Sequence, residues 1–115
     1  MRHRKKGAKL SRTADHRKSL LRNLATSLAL HGHVKTTTPK AKALVSFYEQ
    51  LITHAKGAEP MNAIREIKRH LFTEPAQKAF MAQLPKVTAQ SGYLRTTKVG
   101  LRPGDMAEMS LVEFV

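Results

Sequence analysis

The stretch from Thr38 to Gly57, TPKAKALVSFYEQLITHAKG, carries the pattern that most restricts what this chain can become. Ala41, Leu44, Val45, Tyr48, Leu51, Ile52 and Ala55 recur at steps of three and four, which at ~100° per residue lines them along one side of a helix. Thr38 suits the N-cap, Pro39 suits the first helical position, and Gly57 stops the pattern. A chain of 115 residues buries roughly two-thirds of its unfolded surface, enough for a single core. An apolar stripe of this quality is therefore read as core, and the rest of the chain must supply what covers it.

The flanking segments can do so. Leu20, Leu21, Leu24 and Leu28 share one side of a helix over about 13–31, with Thr13 as N-cap and Gly32 past its end. Residues 33–38, HVKTTT, are rich in β-branched side chains and favour a strand. Pro60 opens a third helix with Ile64, Ile67 and Leu71 inward. Residues 73–84, TEPAQKAFMAQL, form a fourth that buries Ala79, Phe80 and Leu84, with Pro75 in its first turn and Pro85 after its end. YLRTTKV (93–99) and AEMSLVEFV (107–115) read as strands, joined by GLRPGDM, where Pro103-Gly104 suits a type II turn. The expected fold is α+β, in the order helix, strand, three helices, two strands. Its helices pack on a small mixed sheet, and a basic extended arm precedes it. Residues 1–12 form the arm and residues 13–115 a single domain.

Charge separates the arm from the domain. The chain carries 21 Lys and Arg against 8 Asp and Glu, a net charge of +13. Residues 1–42 hold 12 of those cations and one acid, whereas residues 43–115 hold 9 cations and 7 acids. Such asymmetry points to a polyanionic partner, a nucleic acid or a membrane surface. The first helix would face a membrane with plain Leu and Ala and no interfacial aromatic, which disfavours a membrane partner. No apolar run approaches the ~20 residues of a bilayer span, and Met1, Ala8 and Leu10 are the only apolar residues among the first twelve, unlike a secretory signal. Residues 1–12 have no hydrophobic period and too little apolar content to offset ordering entropy, so free in solution they should be disordered.

The mode of nucleic-acid contact is constrained as well. No Phe, Tyr or Trp precedes Phe47, so a base-stacking platform is not expected in the N-terminal third. Arg2, Arg4, Lys5, Lys6, Lys9, Arg12, Arg17 and Arg22 suit phosphate oxygens and 2′-hydroxyls, which report shape more than sequence. Lys18 and Arg22 sit together on the first helix, and Lys35, Lys40 and Lys42 continue the basic surface around the next turn. His3 and His16 could stack on a base, donate to a phosphate, or be mere polar neighbours. Catalysis finds no support: there is no cysteine, no phosphate-binding Gly-rich loop and no carboxylate pair, and Asp15-His16 beside Ser11 or Ser19 is a triad only on paper. His31-x-His33 without Cys or a neighbouring carboxylate is far from a zinc site. No cofactor or small-molecule substrate is expected.

Several stretches together carry a family resemblance. MRHRKKGAKLSRTADHRKSLLRNLATSL, VKTTTPKAKAL, EQLITHAK, GYLRTTKVGLRPGDMAEM and the closing VEFV make the chain similar, end to end, to the bacterial large-subunit ribosomal protein L-seventeen family. The resemblance implies the same helix–strand–three helices–two strands order and a structural, non-catalytic role in translation. It further implies a cytoplasmic location within the ribosome. Its implied RNA contacts are the arm from Arg2 to Arg12 with His3, then His16, Arg17, Arg22 and Asn23, then Lys35, Thr36, Thr37, Lys40 and Lys42, and finally Arg95, Lys98 and Arg102. Its implied partners are large-subunit ribosomal RNA and neighbouring proteins such as L-twenty-two and L-thirty-two. The chain departs from the family where Ala43-Leu44-Val45 replaces an acidic residue followed by Arg, and where Ser91-Gly92 replaces a Gly pair. Two other readings remain in view. A free DNA-binding regulator would concentrate its cations on one groove-sized helix face, and a nucleic-acid enzyme would need a carboxylate cluster or a Cys/His metal set.

Overall fold

The computed structural model describes residues 3, 9–86 and 92–115. Helix α1 spans Ala14–His31, strand β1 His33–Thr37, helix α2 Thr38–Gly57, helix α3 Pro60–His70 and helix α4 Glu74–Gln83. A 3₁₀ turn over Leu84–Lys86 follows, and strands β2 (Leu94–Leu101) and β3 (Glu108–Phe114) complete the chain. The α+β class and the element order are those expected from the sequence.

Helix boundaries follow local chemistry. Thr13 caps α1 by accepting the His16 N–H at 3.4 Å, and Gly32 ends it at φ 79, where a side chain would be strained, with its N–H on the Leu28 carbonyl. Thr38 is not the cap of α2. Thr37 holds that place without a side-chain bond, and Thr38 is already helical. The Thr38 hydroxyl is engaged elsewhere, 2.8 Å from the Ser110 hydroxyl and 3.3 Å from the Glu108 carbonyl. Between β2 and β3, Gly104 at φ 102 takes the position a type II turn reserves for glycine. The loop closes wider than a four-residue turn, with the Met106 N–H on the Arg102 carbonyl at 3.0 Å.

The sheet has the order β1-β3-β2, and both pairings are antiparallel, so the expected mixed sheet is not formed. Strands β1 and β2 do run the same way, but β3 lies between them. Val34, Thr36, Ser110, Val112 and Phe114 turn to the helices, and His33, Lys35 and Glu113 to the other face, as a period of two requires. Past Leu94 every residue of β2 is exposed, so the β2–β3 hairpin overhangs the helical layer.

The core centres on α2. Tyr48 and Phe80 are at most 1 % exposed and meet edge to face at 5.3 Å, and Phe114 closes on the Tyr48 ring at 5.8 Å. The Tyr48 hydroxyl donates to Gln83 Oε1 at 3.2 Å, while Gln83 Nε2 donates to the Ala29 carbonyl, so one amide ties α2, α4 and α1 together. Some expected core residues lie differently, Val45 among them, which is only half-buried. Ile64 is 37 % exposed because α3 packs through Ala63, Ile67 and Leu71, one position round the helix. Ala79 and Leu84 are half-buried, since α4 turns Ala76 and Phe80 inward and gives way to the 3₁₀ turn at Leu84.

Candidate nucleic-acid interface

Of the expected contact residues, Arg2, Arg4, Lys5 and Lys6 lie outside the described residues, and His3 is exposed. Lys9 to Arg12 do not extend; they form a tight turn. Leu10 and Ser11 both sit at φ 54, and the Arg12 N–H returns to the Lys9 carbonyl at 3.2 Å. Left-handed backbone at a Leu and a Ser costs about 1–2 kcal/mol per residue. The turn folds the Arg12 guanidinium onto the Leu10 carbonyl at 2.6 Å, and Arg17 Nη1 donates to the Arg12 carbonyl at 3.4 Å. Two arginines are thereby gathered at the start of α1, and Arg12 Nε is buried without a hydrogen-bond partner among the described residues.

Along α1 the charge follows the helix period. Lys18 and Arg22 precede Ala25 and Ala29 by seven residues each, so each pair shares a face. Ala25 and Ala29 are core, whereas Lys18 is exposed and Arg22 half-buried. One helical face thus packs on the protein at its C-terminal end and presents cations at its N-terminal end. His16 and Asn23, seven residues apart, are exposed on another side of the helix.

Lys35 stands on the sheet face turned from the helices and lines a shallow depression of about 330 Å³ together with Arg102, Val99, Leu101 and Met109. Thr36 points the other way and is 8 % exposed, so it offers little surface to a partner; Thr37 is half-buried. Lys40 and Lys42 occupy the start of α2, whose first turn holds no acid. Cations there meet the positive end of the helix dipole, an arrangement that an external anion relieves.

The C-terminal cations are placed in a different electrostatic setting. Arg95 pairs across the strands with Glu113 at 2.7 Å and Lys98 with Glu108 at 3.0 Å, while Arg102 pairs within the loop with Asp105 at 2.5 Å. The Arg102 guanidinium and then the Ala107 N–H hold the Asp105 carboxyl down at about 2. By contrast Lys9, Arg12, Arg17, Lys18, Arg22, Lys35, Lys40 and Lys42 make no ion pair among the described residues. Sequence reasoning missed the role of Glu108 and Glu113, because strand register decides which cation each acid meets. Among the described residues no group of three His, Asp or Glu could hold a metal, and no helix is long and apolar enough to cross a membrane.

Comparison with known proteins shows the family. The family model described as "Ribosomal protein L17" matches residues 20–115. The chain belongs to the L-seventeen family of ribosomal proteins. Curated relatives named "Large ribosomal subunit protein bL17" match it over its whole length. That of Desulforapulum autotrophicum is 41 % identical, with 97 % of the relative covered. Those of Salinibacter ruber and Orientia tsutsugamushi (strain Boryong) are each 44 % identical, with 59 % and 80 % of the relatives covered. The family match begins inside α1, and the basic turn and first helical turns lie before it.

Proposed function

We propose that this chain is a structural constituent of the large ribosomal subunit, working in the cytoplasm, that binds large-subunit ribosomal RNA and so supports translation. Its contact surface comprises the arm over residues 1–12, the N-terminal half of α1 with His16, Arg17, Lys18, Arg22 and Asn23, and Lys35, Lys40 and Lys42. Large-subunit proteins, L-twenty-two and L-thirty-two among them, would be its neighbours. The observation that carries the reading is the contrast in pairing: among the described residues Lys9, Arg12, Arg17, Lys18, Arg22, Lys35, Lys40 and Lys42 have no acidic partner, while Arg95, Lys98 and Arg102 are each neutralised from within. Unpaired cations spread over turn, helix and strand fit an RNA backbone followed across a folded surface better than one DNA groove.

Sedimentation tests this. The tagged chain should travel almost entirely with large subunits on a density gradient. A variant with Lys9, Lys18, Lys35 and Lys42 changed to Gln should remain folded and shift to the top of the gradient by more than half. Full incorporation of that variant, or an unmodified chain found mainly free, would refute the proposal.

A further inference from the structure

Helix α3 carries a second apolar stripe that the core does not use. Ala63, Ile67 and Leu71 turn inward, at most 2 % exposed, whereas Met61 and Ile64 stand 60 % and 37 % exposed on another side. Met61, Ile64, Arg65 and Lys68 share an arc of roughly 100° on the helix. Phe72, 51 % exposed, follows directly, and its N–H is held by the Thr26 hydroxyl of α1 at 3.2 Å. Leu30, one turn beyond Thr26 and 42 % exposed, extends the apolar surface onto α1. Arg65 and Lys68 are exposed and have no ion pair among the described residues, unlike Arg69, which pairs with Glu66.

We propose that this face docks an acidic amphipathic segment of another large-subunit protein. The inference rests on the chain being carried in that subunit. Isolated exposed apolar residues need no explanation, but here Met61 and Ile64 share one side of α3 with Arg65 and Lys68, which have no ion pair among the described residues, and Phe72 stands exposed just past the helix end. A phosphate backbone would satisfy Arg65 and Lys68 and leave Met61 and Phe72 in water. A second copy would bring together two chains of net charge +13. A segment with apolar residues at helical spacing and carboxylates beside them satisfies both features at once.

The test uses assembled subunits. A benzophenone-bearing phenylalanine replaces Met61 or Phe72 one at a time, with the exposed Lys78 position on α4 as control. Large subunits containing the chain are isolated, irradiated and mapped by mass spectrometry. The expected adduct joins position 61 or 72 to a protein peptide in which acids outnumber bases, in at least tenfold higher yield than from position 78. Arg65→Glu with Lys68→Glu should lower that yield at least fivefold. Independently, Met61 of the unmodified chain should oxidise at least fivefold more slowly in the subunit than in the free protein. An adduct with RNA, with a second copy or with a basic peptide would overturn the proposal, as would a yield no higher than the control or an unprotected Met61. A chain absent from the isolated subunits would defeat the ribosomal reading itself, a result visible before irradiation.

Discussion

Thr38 and Ser110 place two hydroxyls 2.8 Å apart although 72 residues separate them in the chain, and Ser110 is fully buried. Thr38→Val strips that pair of one partner and leaves the Ser110 hydroxyl unsatisfied, which should cost about 1–3 kcal/mol in urea unfolding. Adding Ser110→Ala should cost little more, because the second hydroxyl is then no longer stranded. Simple additivity of the two losses would show that the hydroxyls do not act together. From sequence, Thr38 followed by proline reads as a helix cap; the distant serine that takes its hydroxyl leaves no local trace. Asp105 offers a second residue-level test. Its carboxyl is lowered from an ordinary value of 3.8 to about 2, so its contribution is present above about pH 4 and is lost as pH falls through 2. The Ala107 amide resonance should report that titration with a midpoint near 2, and Arg102→Gln should move the midpoint upward. A midpoint near 4 in the unmodified protein would mean that the Arg102 contact is absent in solution.

At the scale of elements, periodicity located the four helices of the described residues and β-branching located β1, since both signals arise within a few residues. Which side of a short helix is buried was less legible. Ile64, Ile67 and Leu71 look equivalent along α3, yet packing on α2 selects Ala63 in place of Ile64. Ile67→Ala should therefore cost about 2–5 kcal/mol and Ile64→Ala less than about 1 kcal/mol, as read from denaturant midpoints. Equal losses would contradict the placement of α3. The sheet shows the same limit. Its strands are local features, but whether they alternate in direction depends on β3 inserting between β1 and β2, a long-range choice.

Across the whole molecule the apolar stripes were legible as one core, and the surplus charge pointed to the polyanion-binding surface proposed for the N-terminal third. The sequence counts charges but cannot pair them, and pairing is what distinguishes Lys18 from Lys98: both are exposed cations, and only Lys98 has an acid at 3.0 Å. The core elements all follow Thr13, so a chain beginning there should retain a cooperative thermal transition while losing incorporation into subunits. A truncated chain that cannot fold would make the basic turn part of the core. The most direct test of the central claim is the salt dependence of binding to a large-subunit ribosomal RNA fragment. Each phosphate neutralised contributes roughly 0.7–0.9 to the slope of log K against log salt. Changing Lys9, Lys18, Lys35 and Lys42 to Gln should flatten that slope by about three units. Changing Lys78, Arg95, Lys98 and Arg102, equal in formal charge but each ion-paired, should flatten it by less than about one. Equal flattening by the two variants would mean that net charge, and not the unpaired N-terminal surface, holds the RNA.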